Sequence, residues 1–252
     1  MPTARTRPGR LYTPAPVNFN HALNDGRKAW YLTLPHSSGG KTFFDLIGMY
    51  PLAISGLGTN SGWTTSNRHG GSGCIRFADI GAGANLMVPN PLKLGLPITY
   101  GCWVRAFGAP DANASYFGET YDNANSNPYT IYGFYNNAGV VGVGLNFSGT
   151  ALGWSSGYTL TSAWTRLVAV HTVTGIAFYV NGEPFASDSI TLTNPTSSST
   201  SVIAIGNETG VSRNSNIDID DCFVNQAAWS PAMVALDYDQ SLRGYPDALN
   251  WS

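Results

Sequence analysis

Four stretches of the sequence carry residue types and spacings that could do chemistry. Asp218 and Asp220 lie two residues apart; on a strand they share one face, with Cα atoms roughly 7 Å apart, a separation that suits a general acid/base pair. Gly153-Trp-Ser-Ser-Gly157 has the G-x-S-x-G spacing of a nucleophile elbow. Asn216-Ile-Asp-Ile-Asp220 sets oxygen ligands at alternate positions, as a calcium loop does. Between Tyr116 and Asn137, tyrosines interleave with Asp122, Asn127, Asn136, Asn137 and further asparagines. Tyrosine rings stack on pyranose faces and Asn side chains bond hydroxyls, so the predicted glycan contacts are Tyr116, Tyr121, Tyr129, Tyr132, Asn123 and Asn125. Ordinary hairpins with Asn-rich turns give the same pattern.

Context removes most of this chemistry. A nucleophile elbow needs a helix after the serine, whereas Tyr158-Thr-Leu-Thr161 leads into the apolar run that starts at Trp164. The isoleucines between Asn216 and Asp220 demand a strand. Asp221 replaces the glycine of a calcium loop, and Ala227 stands where its bidentate glutamate would be. His21, His36, His69 and His171 show no ligand spacing, so no zinc site is expected. Cys74, Cys102 and Cys222 are odd in number and without metal spacing, and they read as buried free thiols. No metal and no cofactor is expected from these residues. Asp220 and Asp221 read more simply as turn residues marking a bulge before the last strand.

The elements that must position these residues are strands. Only 11% of the 252 residues are charged, 43% are apolar and 12% aromatic, with 29 Gly and 15 Pro. Such a chain is too aromatic for disorder and reads as all-β. Val141, Val143, Leu145 and Phe147 alternate with Gly142, Gly144, Asn146 and Ser148, the pattern of a strand with one buried face. The run from Trp164 to Val173 is apolar on both faces and suits an inner strand. Ile176–Val180 precedes Asn181-Gly182, a strong hairpin signal. Further strands are expected at Lys28–Leu34, Leu52–Ile54, Ile75–Phe77, Asn85–Val88, Ile98–Ala106, Tyr116–Gly118, Tyr129–Tyr135, Ser201–Gly206 and Ile217–Asn225. Ser230 as N-cap before Pro231 predicts one helix over about 231–243, with Met233, Leu236 and Gln240 at helical spacing.

Charge is unevenly placed. Arg5, Arg7 and Arg10 sit in a Pro-rich segment with no acid before Asp25, and the remainder of the chain is net acidic. Residues 1–17 read as an extended basic arm that could reach roughly 55 Å, and residues 18–252 as one domain. A pI near 6.0 argues against a nucleic-acid partner. No apolar run approaches a membrane span, and the N-terminus lacks the apolar region of a secretory signal, which points to a soluble protein made in a reducing cytosol.

Several segments in order resemble the LamG-like, concanavalin A-like jelly-roll domains. They are Asn20–Gly26 with Ala29-Trp-Tyr-Leu32 and Thr42–Gly48; Ile98-Thr-Tyr-Gly-Cys-Trp-Val104; Trp164–Val170 with Phe178-Tyr-Val-Asn-Gly182; and Ile219-Asp-Asp-Cys-Phe-Val224 with Trp229-Ser-Pro231. The resemblance spans about residues 20–240 and implies a two-sheet antiparallel sandwich. Some such domains bind calcium through other loops, which would put a site near Asp45 or Glu119. Family-16 glycoside hydrolases share the sandwich, but Asn216 and Asp221 stand where their Glu-x-Asp-x-x-Glu pattern has glutamates, so no enzyme is expected. The leader from Met1 to Gly26 is similar to that of LamG-like proteins encoded by bacteriophages. The first expectation is therefore a multi-copy or homo-oligomeric virion structural protein, a capsid decoration protein. Arg5, Arg7 and Arg10 would anchor it to the major capsid protein or another virion protein. The alternative is a lectin-like module binding surface glycan.

Overall fold

Strand β16, Ile217–Asn225, is buried along its whole length and organises half of the molecule. The computed structural model describes residues 17–18, 20–31, 42–43, 45–47, 52–57, 60–64, 73–78, 80–89, 94–121, 130–147, 150–192, 201–206, 213–243 and 245. Preceding β16 in chain order are β1 Arg27–Tyr31, β2 Thr42–Phe43, β3 Leu52–Leu57, β4 Gly62–Thr64, β5 Cys74–Phe77, β6 Ile80–Pro89, β7 Ile98–Ala106 and β8 Ser115–Tyr121. Then come β9 Thr130–Asn137, β10 Val140–Phe147, β11 Thr150–Ser155, β12 Thr165–Thr172, β13 Gly175–Val180, β14 Glu183–Asp188 and β15 Ser201–Ile205. One α-helix, α1, spans Pro231–Leu242.

These strands form two antiparallel sheets, a jelly-roll sandwich. Sheet I runs β14-β13-β12-β7-β16-β5-β4, with β1 beside the second half of β16 where β5 pairs with its first half. Sheet II runs β11-β10-β9-β8-β15-β6-β3-β2. Alternation decides the faces. Tyr100, Cys102, Val104, Leu167, Ala169, Ile217 and Ile219 of sheet I meet Phe117, Tyr132, Phe134, Val141, Val143 and Ile203 of sheet II in the main core. The other face of sheet I carries Trp30, Val168, Val170 and Phe223. It is covered by Val17, Leu23, Trp229, Val234 and Tyr245, from the N-terminal segment and the region of α1.

Local sequence explains the connections. Asn181 and Gly182 adopt φ 52° and 84° and turn β13 into β14, the left-handed pair that a two-residue hairpin needs. Strand β14 was not signalled beyond that turn, because Glu-Pro-Phe-Ala-Ser-Asp is an exposed edge with no buried alternation. Strand β11 takes up the Gly153 segment, again outside the expected set. The Ser230 hydroxyl accepts a hydrogen bond from the Met233 amide and Pro231 opens the helix, as the N-cap reading requires. The fully buried face of α1, however, is Val234, Asp237, Gln240 and Ser241; Met233 and Leu236 are only partly buried. All three cysteines are buried and none forms a disulfide. Among the described residues no helix is long and apolar enough to cross a membrane.

Candidate functional site

Asp218 and Asp220 do leave the same face of sheet I, the one turned away from the main core, because Ile217 and Ile219 point inward. Neighbouring strands then deliver arginines to Asp218 through register: it lies opposite Arg76 on β5 and Arg105 on β7. Arg76 donates from Nε to Oδ1 at 2.7 Å and from Nη2 to Oδ2 at 2.8 Å. Arg105 donates from Nε and Nη2 to Oδ2 at 2.9 and 2.8 Å. Three of these four N–H groups therefore converge on Oδ2 and one on Oδ1, charge-assisted bonds that hold the carboxylate between two guanidiniums. Phe107 lies over the Arg76 guanidinium at 4.7 Å and Trp164 over that of Arg105 at 5.0 Å.

The bulge expected at Asp220-Asp221 is present. The β16–β7 register shifts between Asp220 and Phe223, and Asp221 takes φ 51°. Inward positions change from odd to even numbers there, with Cys222 and Val224 following Ile219 into the core, so two successive aspartates face outward. Asp220 accepts from the Asp221 amide at 2.6 Å. Asp221 becomes the centre of a buried network: it accepts from Trp30 Nε1 at 2.8 Å, from the Tyr245 hydroxyl at 2.6 Å and from Arg166 Nη1 at 3.1 Å. Arg166 also donates to the Asp221 carbonyl at 2.7 Å and to Asp237 of α1 at 2.8 Å. Arg27 lies over the rings of Trp30, Phe223 and Trp229 at 4.2, 4.9 and 5.7 Å. Burial pushes the Arg27 pKa down and the Asp237 carboxyl up; for Arg166 burial is outweighed by Asp221 and Asp237, which keep it charged. Two arginines and two aspartates, their side chains all buried, thus tie β1, β12, β16 and α1 together.

Two of the predicted glycan contacts are buried. Tyr116 and Tyr132 are inside the main core, 1% and 0% exposed, so neither ring can stack on a sugar. They are corrections to the sequence reading: these two tyrosines are core residues of β8 and β9. Tyr121 ends β8, whereas Asn123, Asn125 and Tyr129 lie outside the described residues, as do Arg5, Arg7 and Arg10. Tyr135, on the outer face of sheet II, occupies the space that side chains at Gly142 and Gly153 would take. Gly118, Gly133, Gly144 and Gly153 stand in one cross-strand row on that face, the first three of them buried. Glu119 pairs in register with Tyr132 and Ile203 and shares their inward face. The Tyr100 hydroxyl and His171 Nε2 are hydrogen-bonded at 3.0 Å between the sheets, where burial lowers the His171 pKa to about 3.

Other candidates resolve into structural roles. Asp45 Oδ1 accepts from the amides of Trp30 and Ile47 at 2.8 and 3.0 Å, a turn-closing pattern. Among the described residues no group of three or more His, Cys, Asp or Glu is placed to hold a metal ion. Ser155 ends β11 and no helix follows it; the next element is β12, so the nucleophile-elbow geometry is absent.

With two sheets, their order and the outward aspartates in place, comparison with known proteins decides the family. The sequence pattern of the concanavalin A-like lectin/glucanases superfamily matches residues 80–235. The chain belongs to this superfamily. No curated protein matches it in sequence. Domain 4 of AbnA, an extracellular arabinanase from Geobacillus stearothermophilus solved with arabinotriose, is similar over 83% of this chain and 96% of its own length, with TM-score 0.62 and 14% identity. The binding domain of Paraclostridial Mosquitocidal Protein 1 aligns over 87% of this chain and 53% of its own, with TM-score 0.64 and 15% identity. Trypanosoma rangeli sialidase in complex with sialic acid aligns over 86% and 33%, with TM-score 0.61 and 12% identity. At these identities the likeness is one of fold. Within the superfamily fold, the Arg76–Asp218–Arg105 cluster with Phe107 and Trp164 was missed by sequence reasoning. The available signal was two lone arginines in otherwise apolar strands, Cys-Ile-Arg-Phe and Trp-Val-Arg-Ala, of a chain with 11% charged residues.

Proposed function

We propose that this chain is a non-catalytic carbohydrate-binding module. The observation that carries the reading is the burial of Asp218 between two arginines. A glycosidase acid/base pair needs one carboxyl free to give a proton and a second free to attack or to activate water. Asp218 is fully buried and held by two arginines, with three N–H donors on Oδ2 and one on Oδ1, and Asp220 is buried beside it and bonded to the Asp221 amide. Support for sugar as the ligand comes from superfamily membership and from the likeness to an arabinanase domain solved with arabinotriose, nearly all of which this chain covers. A glycan array probed with the purified chain tests it, alongside a reducing-sugar release assay on the saccharides that bind. Binding without release is expected; no saccharide bound at millimolar ligand, or release abolished by Asp218→Asn, would overturn it.

A virion-decoration role on a bacteriophage is a second reading, favoured by the sequence of the basic arm with Arg5, Arg7 and Arg10. Its partner would be a capsid or other virion protein, and many copies or a homo-oligomer would supply the avidity that three arginines lack. Deleting residues 2–16 should then leave a folded sandwich that no longer joins particles; normal incorporation of the truncated chain would refute it.

A further inference from the structure

The outer face of sheet I is covered unevenly. Helix α1 reaches Trp103, stacking Tyr238 on it at 5.7 Å and accepting its indole N–H on the Ser241 hydroxyl at 3.0 Å. The row next to it, Gly62–Arg76–Asp218–Arg105 in cross-strand register, reaches solvent. Asp218 is fully buried, whereas the Arg76 and Arg105 side chains are 33% and 22% exposed. The carboxylate therefore lies beneath and the guanidiniums above, so the charge this row presents to solvent is positive. Arg76 spends Nε and Nη2 on Asp218, and among the described residues its Nη1 has no hydrogen-bond partner. Phe107, 40% exposed, flanks one guanidinium and half-buried Trp164 the other. At Gly62, which ends the row, a side chain would meet nothing within 4 Å among the described residues.

We propose that Arg76 and Arg105, with Phe107 beside them, form a binding site for an acidic saccharide, one whose pyranose ring carries a carboxylate. This rests on the carbohydrate-binding reading above and narrows it to a charge class and a place. The remaining N–H edge of Arg76 matches a planar carboxylate, and the exposed phenyl ring offers an apolar surface to a sugar face. Asp218 fixes both arginines before the ligand arrives, so little side-chain entropy is lost on binding. A stabilising ion pair would need only one arginine; the second turns the buried carboxylate into a support for two partly exposed cations.

Titration calorimetry of the full chain with trigalacturonic acid, and with arabinotriose as the neutral sugar, tests this. Trigalacturonic acid should bind at least tenfold more tightly than arabinotriose in low salt, and its affinity should fall as salt is raised. Arg76→Gln should weaken the acidic sugar at least tenfold, and Phe107→Ala should weaken the acidic sugar as well. Thermal unfolding confirms that the variants are folded, and Arg105 still pairs with Asp218 in Arg76→Gln. Equal affinity for both sugars, or acidic-sugar binding untouched by Arg76→Gln, would overturn this site and leave the carbohydrate-binding reading standing. Failure of both probes, with no saccharide bound on the array, would remove both.

Discussion

Arg166 donates to the Asp221 carbonyl and carboxylate at 2.7 and 3.1 Å with both side chains completely buried. The pair joins β12 to the bulge of β16, and Asp237 brings α1 onto the same guanidinium. Removing the cation strands two carboxylates in a dry layer. Arg166→Met should cost about 3–5 kcal/mol of stability, read by urea unfolding. A cost below about 1 kcal/mol would mean that the network merely tolerates its burial.

His171 is buried against Tyr100 with its pKa lowered from 6.5 to about 3. The folded chain keeps the ring neutral where the unfolded chain takes up a proton. Its contribution is therefore complete above pH 6.5 and is lost as pH falls toward 3, at up to about 1.4 kcal/mol per pH unit. Stability curves of the parent and of His171→Gln between these pH values should diverge in slope, the variant being flatter. Parallel curves would show that His171 is protonated in the folded state.

The three thiols should be silent. Burial raises the Cys74 and Cys222 pKa values, and Cys102 is buried as deeply. A thiol reagent should label none of them in the native protein and all three after unfolding. Rapid native labelling would show that the sandwich opens locally.

Two glycines of the same cross-strand row should respond differently to alanine. At Gly118, φ is +156° and a Cβ would collide with the backbone of Tyr132 and Gly133, so Gly118→Ala should cost about 1–3 kcal/mol or more. At Gly153 the obstacle is the Tyr135 hydroxyl, the far end of a side chain that can turn. Gly153→Ala should cost clearly less in the same thermal melt; a reversed order would refute the backbone argument.

The sandwich was legible because its signals are local. Alternation at Val141–Phe147, the Asn181-Gly182 turn and the Ser230-Pro231 cap each depend on residues within a few positions of one another. Strand β14 was not legible, since an exposed edge needs no apolar period. Nor was the polar docking face of α1: Asp237 and Ser241 look solvent-facing until Arg166 and Trp103 lie opposite them. The sugar-contact prediction failed at Tyr116 and Tyr132 for a related reason, that tyrosine serves core and surface alike and only sheet-on-sheet packing tells which.

Sequence alone also determined that Asp218 and Asp220 share a face and that Asp220-Asp221 marks a bulge, because side-chain direction follows strand period. What Asp218 does was decided only by tertiary structure. Arg76 and Arg105 are 142 and 113 positions away from it in sequence, and antiparallel register alone brings them to its two sides. An acid/base candidate thereby becomes the buried support of two partly exposed cations.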